Sequence, residues 1–220
     1  MEFNERSSGL VNNLHEHSFH ILGCGAIGSC TAMQLRRMGA DDFYLYDLDK
    51  VAIENLGVSL YTKEDVNEFK VRALKKHLES IPGNLYVEIN IGMFEQISYQ
   101  NRKDIVILAF DSMKARLNAV EKICADKKLS PFAMIDGRMG AEHYQQYVLK
   151  YPTVPQYNST WYSDESGDPE PCNAKATSYC SNMSGSFISN TVRKLTTRQP
   201  YDKFISFHFP SMTMEKVLAR

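Results

Sequence analysis

The sequence predicts an α/β domain built on a doubly wound, mostly parallel sheet with antiparallel strands added to it. Three observations predict it: short apolar runs without the alternation of a half-exposed strand, stretches of helical period between them, and a glycine-rich turn where the first run meets the first helical stretch.

Phe19-His20-Ile21-Leu22 is an apolar run that stops at Gly23, and Ile27 to Met38 then carries helical spacing ending at Gly39, a helix-terminating glycine. Phe43 to Tyr46 reads as a second strand. Val66 to Leu78 reads as a helix, with Val66, Phe69, Ala73, Leu74 and Leu78 on one face, and Tyr86 to Ile91 as a third strand. Ile105 to Ala109 and Phe132 to Ile135 are near-continuous apolar runs, as strands covered on both faces should be, and Lys114 to Lys127 between them is helical. Strands alternating with helices imply right-handed parallel crossovers.

After Asp136 the texture changes. Tyr144, Tyr147 and Leu149 lie in a polar-aromatic stretch suited to an antiparallel strand. Tyr151 to Pro171 holds four of the eight prolines, lacks a period and reads as a long surface loop. Ala174 to Leu195 reads as a helix rich in small residues, and Phe204 to Phe209 as a closing strand. The expected organisation is an N-terminal arm over residues 1–17 and one domain over 18–220, with a crossover loop over 151–172.

Composition narrows the function. Of 220 residues 43% are hydrophobic, enough for a core, and 25 Lys+Arg against 26 Asp+Glu leave a net charge of −1, without the basic excess of a dedicated nucleic-acid binder. No apolar stretch nears the roughly 18 residues of a membrane span. The first twenty residues carry Glu2, Glu5, Arg6, His15 and Glu16 with no apolar secretion signal. Five cysteines without a C-x-x-C pair favour free thiols in a reducing compartment, so a cytoplasmic location is expected.

Gly23-Cys24-Gly25-Ala26-Ile27-Gly28 joins a predicted strand to a predicted helix. In a Rossmann-like fold these positions permit the tight turn, the approach of phosphates to the backbone of Gly25, Ala26 and Ile27 at a helix N-terminus, and close helix packing at Gly28. Asp47, ending the second strand, stands where a carboxylate takes the ribose hydroxyls of ATP or of a dinucleotide. Asp49 follows in Asp-x-Asp, able to orient Mg²⁺ or a basic side chain, or to remain a solvated turn residue. Tyr46 and Lys50 match Tyr-x-x-x-Lys but flank a strand end, so they share no helical face. Lys70 opens Lys70-Val71-Arg72-Ala73-Leu74-Lys75-Lys76, which read locally is a solvated helical charge run. Asp111 follows a buried parallel strand at its carboxyl end, where open α/β sheets bind ligands; it can hold Mg²⁺ against phosphates, or cap the next helix.

Gly23-x-Gly25-x-x-Gly28, Asp47-x-Asp49-x-Val51, Asn55-Leu56, Lys70 and Phe110-Asp111-Ser112, in this order, resemble the ThiF/MoeB family, the adenylating domain shared with ubiquitin-activating enzymes. The resemblance spans about residues 18 to 200. It implies that Asp47 binds the ATP ribose, that Asn55 and Lys70 contact phosphates, and that Asp111 binds the catalytic Mg²⁺; Arg116 matches an Arg usually found shortly after that Asp. Two features depart from the pattern. The family's Asn-Leu-x-Arg-Gln is Asn55-Leu56-Gly57-Val58-Ser59 here, without the phosphate-binding Arg, and the paired C-x-x-C zinc motifs are missing, since Cys172 and Cys180 stand alone. Asp136-Gly137-Arg138-Met139-Gly140 is similar to short stand-alone members from bacterial and phage operons.

The activity implied is ATP-dependent adenylation of the C-terminal carboxylate of a ubiquitin-like or sulfur-carrier protein ending in Gly, in a homodimer whose Arg6 reaches the partner's phosphates. Cys172 is the expected thioester acceptor: it follows Pro169-Glu170-Pro171 and precedes a predicted helix whose N-terminal dipole would favour a thiolate. Cys24 lies in the glycine turn, Cys30 and Cys124 fall on helices expected to pack, and Cys180 is read as mid-helix. An NAD-dependent oxidoreductase on the same fold leaves Asn55, Lys70 and Asp111 without a role. A relative acting on RNA, forming cyclic threonylcarbamoyladenosine, is a third reading, against which this chain's lack of a basic surplus weighs, and a non-catalytic pseudo-enzyme subunit is the reading that the lost Arg suggests.

Overall fold

The computed structural model describes residues 4–11, 13–97, 103–125, 130–166 and 176–219. One eight-stranded sheet runs in the order β3-β2-β1-β4-β5-β6-β7-β8. β1 (Phe19–Leu22), β2 (Asp42–Asp47), β3 (Tyr86–Ile91), β4 (Ile105–Leu108) and β5 (Ala133–Gly140) pair in parallel; β6 (His143–Lys150), β7 (Asp202–His208) and β8 (Thr213–Leu218) extend the sheet antiparallel. The doubly wound, Rossmann-like sheet with added antiparallel strands is therefore present as expected.

Two apolar layers sandwich the sheet. Phe19, Ile21, Phe43, Leu45, Ile105 and Ile107 pack against α1 (Ala26–Arg37), α2 (Lys70–Glu79) and α5 (Ser178–Thr196). Leu22, Tyr44, Tyr46, Val106 and Leu108 pack against α3 (Met113–Ile123) and α4 (Val154–Asn158). Every side chain of β1 and β4 is buried, which is why those segments read as continuous apolar runs. The chain leaves β1 toward β2 on one side and returns to β4 on the other, so the sheet reverses winding between β1 and β4, and the ends of those strands border a natural ligand crevice.

Five elements differ from the sequence reading. The second helix starts at Lys70, not Val66: residues 66–69 pair with residues 50–51, through Val51 N–H to Glu68 O, Asn67 N–H to Val51 O and the Lys50–Phe69 bridge, and Asn67 takes φ +72°. The stretch expected to be a long loop contains α4, opened by a Thr153–Gln156 capping box with Pro155 in its first turn, and its Tyr157 is fully buried. The fifth strand continues from Ile135 through Asp136-Gly137-Arg138-Met139-Gly140 and pairs along that length with β6. The last predicted strand is followed by β8, every residue of which is exposed, so no buried face marks it in the sequence. The helix expected to run to Lys127 ends at Ile123, with Cys124 as its C-cap and residue 125 no longer helical; residues 126–129 lie outside the described part.

Candidate functional site

The turn after β1 is built by what cannot be added to it. Gly23 has φ +96°, and a Cβ there would lie 2.7 Å from the Ala109 carbonyl oxygen at the end of β4. At Gly28 a Cβ would fall 1.9 Å from the Gly23 carbonyl oxygen, so α1 can approach the turn this closely only without one. Gly25, which caps α1, faces open space, with nothing within 4 Å of a Cβ. The backbone amides at the start of α1, including those of Ala26 and Ile27, are thus presented where an anion can reach them.

Asp47 ends β2 against this turn. It is buried, and its carboxylate accepts the Cys24 N–H at 2.7 Å and the Asp49 N–H at 2.8 Å. Burial raises its pKa, against the nearby Lys70 ammonium and these two N–H groups, which favour the charged form. Lys70 Nζ lies 2.8 Å from Asp49, with the lysine side chain only 12% exposed. Burial alone would lower the Lys70 pKa, but the charges of Asp47, Asp49 and Asp111 outweigh it and raise the pKa. Lys70 is therefore a fixed cation, unlike Arg72 and Lys75 of the same run, which face solvent. Asp49 takes the basic-partner role open to it rather than that of a free turn residue.

Asp111 is exposed and, among the described residues, accepts no hydrogen bond and makes no ion pair. It does not cap α3; Ser112 does, accepting the Ala115 N–H. The neighbouring backbone is held from both sides. Arg116, buried on α3, donates to the carbonyls of Leu108 and Phe110 and to the buried carboxylate of Asp136. Arg138 grips the other oxygen of Asp136 and donates to Thr160 O at 2.6 Å, its guanidinium 4.3 Å from the centre of the Tyr147 ring. Arg116 is thus a structural residue of the strand end.

The Lys70 ammonium is paired with Asp49 and lies within the electrostatic reach of Asp47 and Asp111, and Asp47 in turn holds the turn that opens α1. That donor set fits a nucleotide polyphosphate carrying a divalent cation, in which amides and lysine meet oxygens and the exposed carboxylate meets the metal.

The remaining expected residues are placed differently. Asn55 lies in a 3₁₀ turn, Ile53–Gly57, where its Oδ1 accepts the Ala52 N–H, so its amide oxygen is already engaged and only its NH₂ is available to a ligand. Val58, standing where the family has Arg, ends that turn half-buried. Arg6 is exposed in the N-terminal 3₁₀ turn Glu5–Ser7, and the neighbouring Asn4 sits against Gly39, at the far end of α1 from the glycine turn. Cys172 lies outside the described residues. Cys180 is in the first turn of α5 rather than mid-helix and is buried, as are Cys24 and Cys30. Burial pushes the Cys180 thiol up to about 12 and Cys124 to about 11, and raises Cys24 and Cys30 as well. Tyr61 and Asp164 were not singled out from sequence; both act through backbone, and neither has a motif that announces it.

The chain belongs to the ThiF family, whose profile matches residues 2–220. Ubiquitin-like modifier-activating enzyme 5 of Drosophila grimshawi is 26% identical over 134 residues, which is 54% of this chain and 33% of that protein. The same enzyme of Caenorhabditis elegans is 26% identical over 136 residues. The chain therefore spans about a third of the length of these curated relatives. Among solved structures, E. coli MccB superposes with a TM-score of 0.74 at 18% identity, covering 95% of this chain and 64% of MccB. MccB with ATP gives 0.72 at 16%, and PaaA gives 0.68 at 18%. These structural likenesses show the same fold. No helix among the described residues is long and apolar enough to cross a membrane.

Proposed function

We propose that this chain adenylates the C-terminal carboxylate of a ubiquitin-like or sulfur-carrier protein ending in Gly. The observation that carries the reading is the meeting, at the reversal of the sheet, of the open α1 N-terminus, Lys70 and the unengaged Asp111. The ThiF membership supports it, as does the likeness to MccB, solved with ATP, and to activating enzymes of a ubiquitin-like modifier.

A carboxylate is a poor electrophile, so the first step is its attack on the α-phosphorus of ATP: one carboxylate oxygen forms the new P–O bond and pyrophosphate leaves with the electrons of the broken one. No proton needs to be removed, and the site must position and neutralise rather than act as a base. Asp47 orients the ribose, the amides of Gly25, Ala26 and Ile27 and the Lys70 ammonium hold the phosphates, and Asn55 offers its NH₂. Asp111 would hold Mg²⁺, which supplies charge neutralisation on the polyphosphate when bound. Arg6, whose neighbour Asn4 sits against Gly39 at the far end of α1 from its own glycine turn, would serve the partner's phosphates in a homodimer. Cys172 then accepts the acyl group, its thiolate attacking the carbonyl carbon as AMP leaves.

The test is ATP–pyrophosphate exchange with MgATP and a small β-grasp protein ending in Gly-Gly, alone and with the same protein lacking its last residue. Exchange that requires the terminal Gly supports the reading. Binding of MgATP without exchange under any acceptor instead supports the pseudo-enzyme reading, which the loss of the Arg at Val58 favours.

A further inference from the structure

The residue that fixes the turn carrying Asp111 comes from 51 positions beyond Met113. Asp164 lies in the segment after α4, and its carboxylate accepts the Met113 N–H at 2.7 Å, the Lys114 N–H at 3.3 Å and the Ser112 hydroxyl at 3.2 Å. Ser112 Oγ accepts the Ala115 N–H, and Ser112 O accepts the first intrahelical N–H, from Arg116. The free N–H groups of the first turn of α3 are thus shared between Ser112 and Asp164, a charged cap where a neutral one already existed. The same segment is tied down twice more: the Trp161 indole donates to Met113 O at 2.9 Å, and Arg138 holds Thr160.

Asp111 is therefore bracketed. On one side the Phe110 carbonyl is held by Arg116, and on the other the Ser112 hydroxyl and the next two amides are held by Asp164. Both clamps act on backbone or on the cap, so Asp111 keeps an unengaged carboxylate on a fixed turn, the arrangement that costs a cation least to bind.

We propose that Asp164 is a positioning residue for Asp111: from the segment that follows α4 it locks the start of α3, and with it the turn that presents the metal-binding carboxylate. This rests on the assignment of Asp111 to Mg²⁺ above. Because Asp164 acts through hydrogen-bond acceptance by both carboxylate oxygens, Asn in its place keeps one acceptor and part of the effect, whereas Ala keeps none. Binding at Asp111 and order in the 160–164 segment are then linked, and each stabilises the other.

Trp161, the single tryptophan of the chain, reports on this segment directly. The experiment measures binding of a non-hydrolysable ATP analogue to the full chain by calorimetry as Mg²⁺ is varied, with Trp161 emission recorded alongside and thermal melting as the check on folding. The Mg²⁺ requirement should rise about five- to tenfold in Asp164→Ala, the scale of a lost helix cap, with a weaker emission response, and fall between that of Ala and wild type in Asp164→Asn. Asp111→Ala should lose the Mg²⁺ dependence and the emission response together. An unchanged Mg²⁺ requirement in folded Asp164→Ala overturns the positioning role while leaving adenylation standing, and an Asn variant as impaired as Ala overturns it in favour of direct ligation. Wild-type chain that binds no Mg²⁺–nucleotide removes both this proposal and the function on which it rests.

Discussion

The hydroxyl of Tyr61 donates a 2.5 Å hydrogen bond to the carbonyl oxygen of Cys24, in the middle of the glycine turn. The same hydroxyl lies 3.2 Å from the carbonyl oxygen of Lys70, the first residue of α2. One buried side chain thus spans the two elements to which phosphate contacts are assigned, and the spacing between turn and lysine depends on it.

Replacement Tyr61→Phe removes that tie without opening a cavity. It should destabilise the chain by about 1 kcal/mol, since a buried carbonyl loses its partner, and weaken MgATP binding several-fold while leaving the Mg²⁺ requirement unchanged. Calorimetry with ATP checks this; unaltered affinity would show that the turn keeps its place without Tyr61.

Arg116 and Asp111 should separate cleanly into structure and function. Arg116→Ala leaves Asp136 buried beside a single arginine and frees the Leu108 and Phe110 carbonyls, at a cost of about 3–5 kcal/mol in urea unfolding. Asp111→Ala removes an exposed side chain and should change stability by no more than about 0.5 kcal/mol, yet abolish Mg²⁺-dependent nucleotide binding. A destabilised Asp111 variant, or an Arg116 variant as stable as wild type, would reverse the assignment.

Asp65 gives the acid side of the stability curve. Burial would raise its pKa, but the Thr62 N–H and hydroxyl and His77 Nε2 at 2.7 Å outweigh burial and hold it below the usual carboxylate value. Its contribution is therefore full above the ordinary value of about 4 and is lost as pH falls through the lowered native value. The stability gap between wild type and Asp65→Asn should be about 1 kcal/mol at pH near 5.5 and close as pH approaches 2. Parallel curves over that range would contradict the assignment.

The thiols give a direct check on the acceptor. All four described cysteines have raised pKa values, with Cys124 at about 11 and Cys180 at about 12, because burial disfavours the thiolate. At neutral pH the native chain should take up a single iodoacetamide rapidly, and that fast label should disappear in Cys172→Ser. A fast label that survives the substitution would assign reactivity to another cysteine.

What the sequence made legible follows from which forces act locally. β1, β4 and the glycine turn could be read because burial on both faces and the steric needs of Gly23 and Gly28 leave their mark on consecutive residues. Lys70 looked like part of a solvated run because its three carboxylates come from elsewhere in the chain and meet only in the fold. The start of α2 was misread because residues 66–69 are recruited by residues 50–51, a pairing that leaves no local pattern. β8 carries no buried face to betray it, and Asp164 caps a helix 51 residues away. Only α4 had a readable signal that the proline content obscured, the Thr153–Gln156 box.

Calorimetric titration of the chain with MgATP and, separately, with NAD tests the central claim most directly, namely that the crevice at the reversal of the sheet takes a triphosphate rather than a dinucleotide. The account predicts binding of MgATP that disappears in Lys70→Ala, and no signal with NAD. Saturable NAD binding that is indifferent to Lys70→Ala, with no response to MgATP, would contradict it.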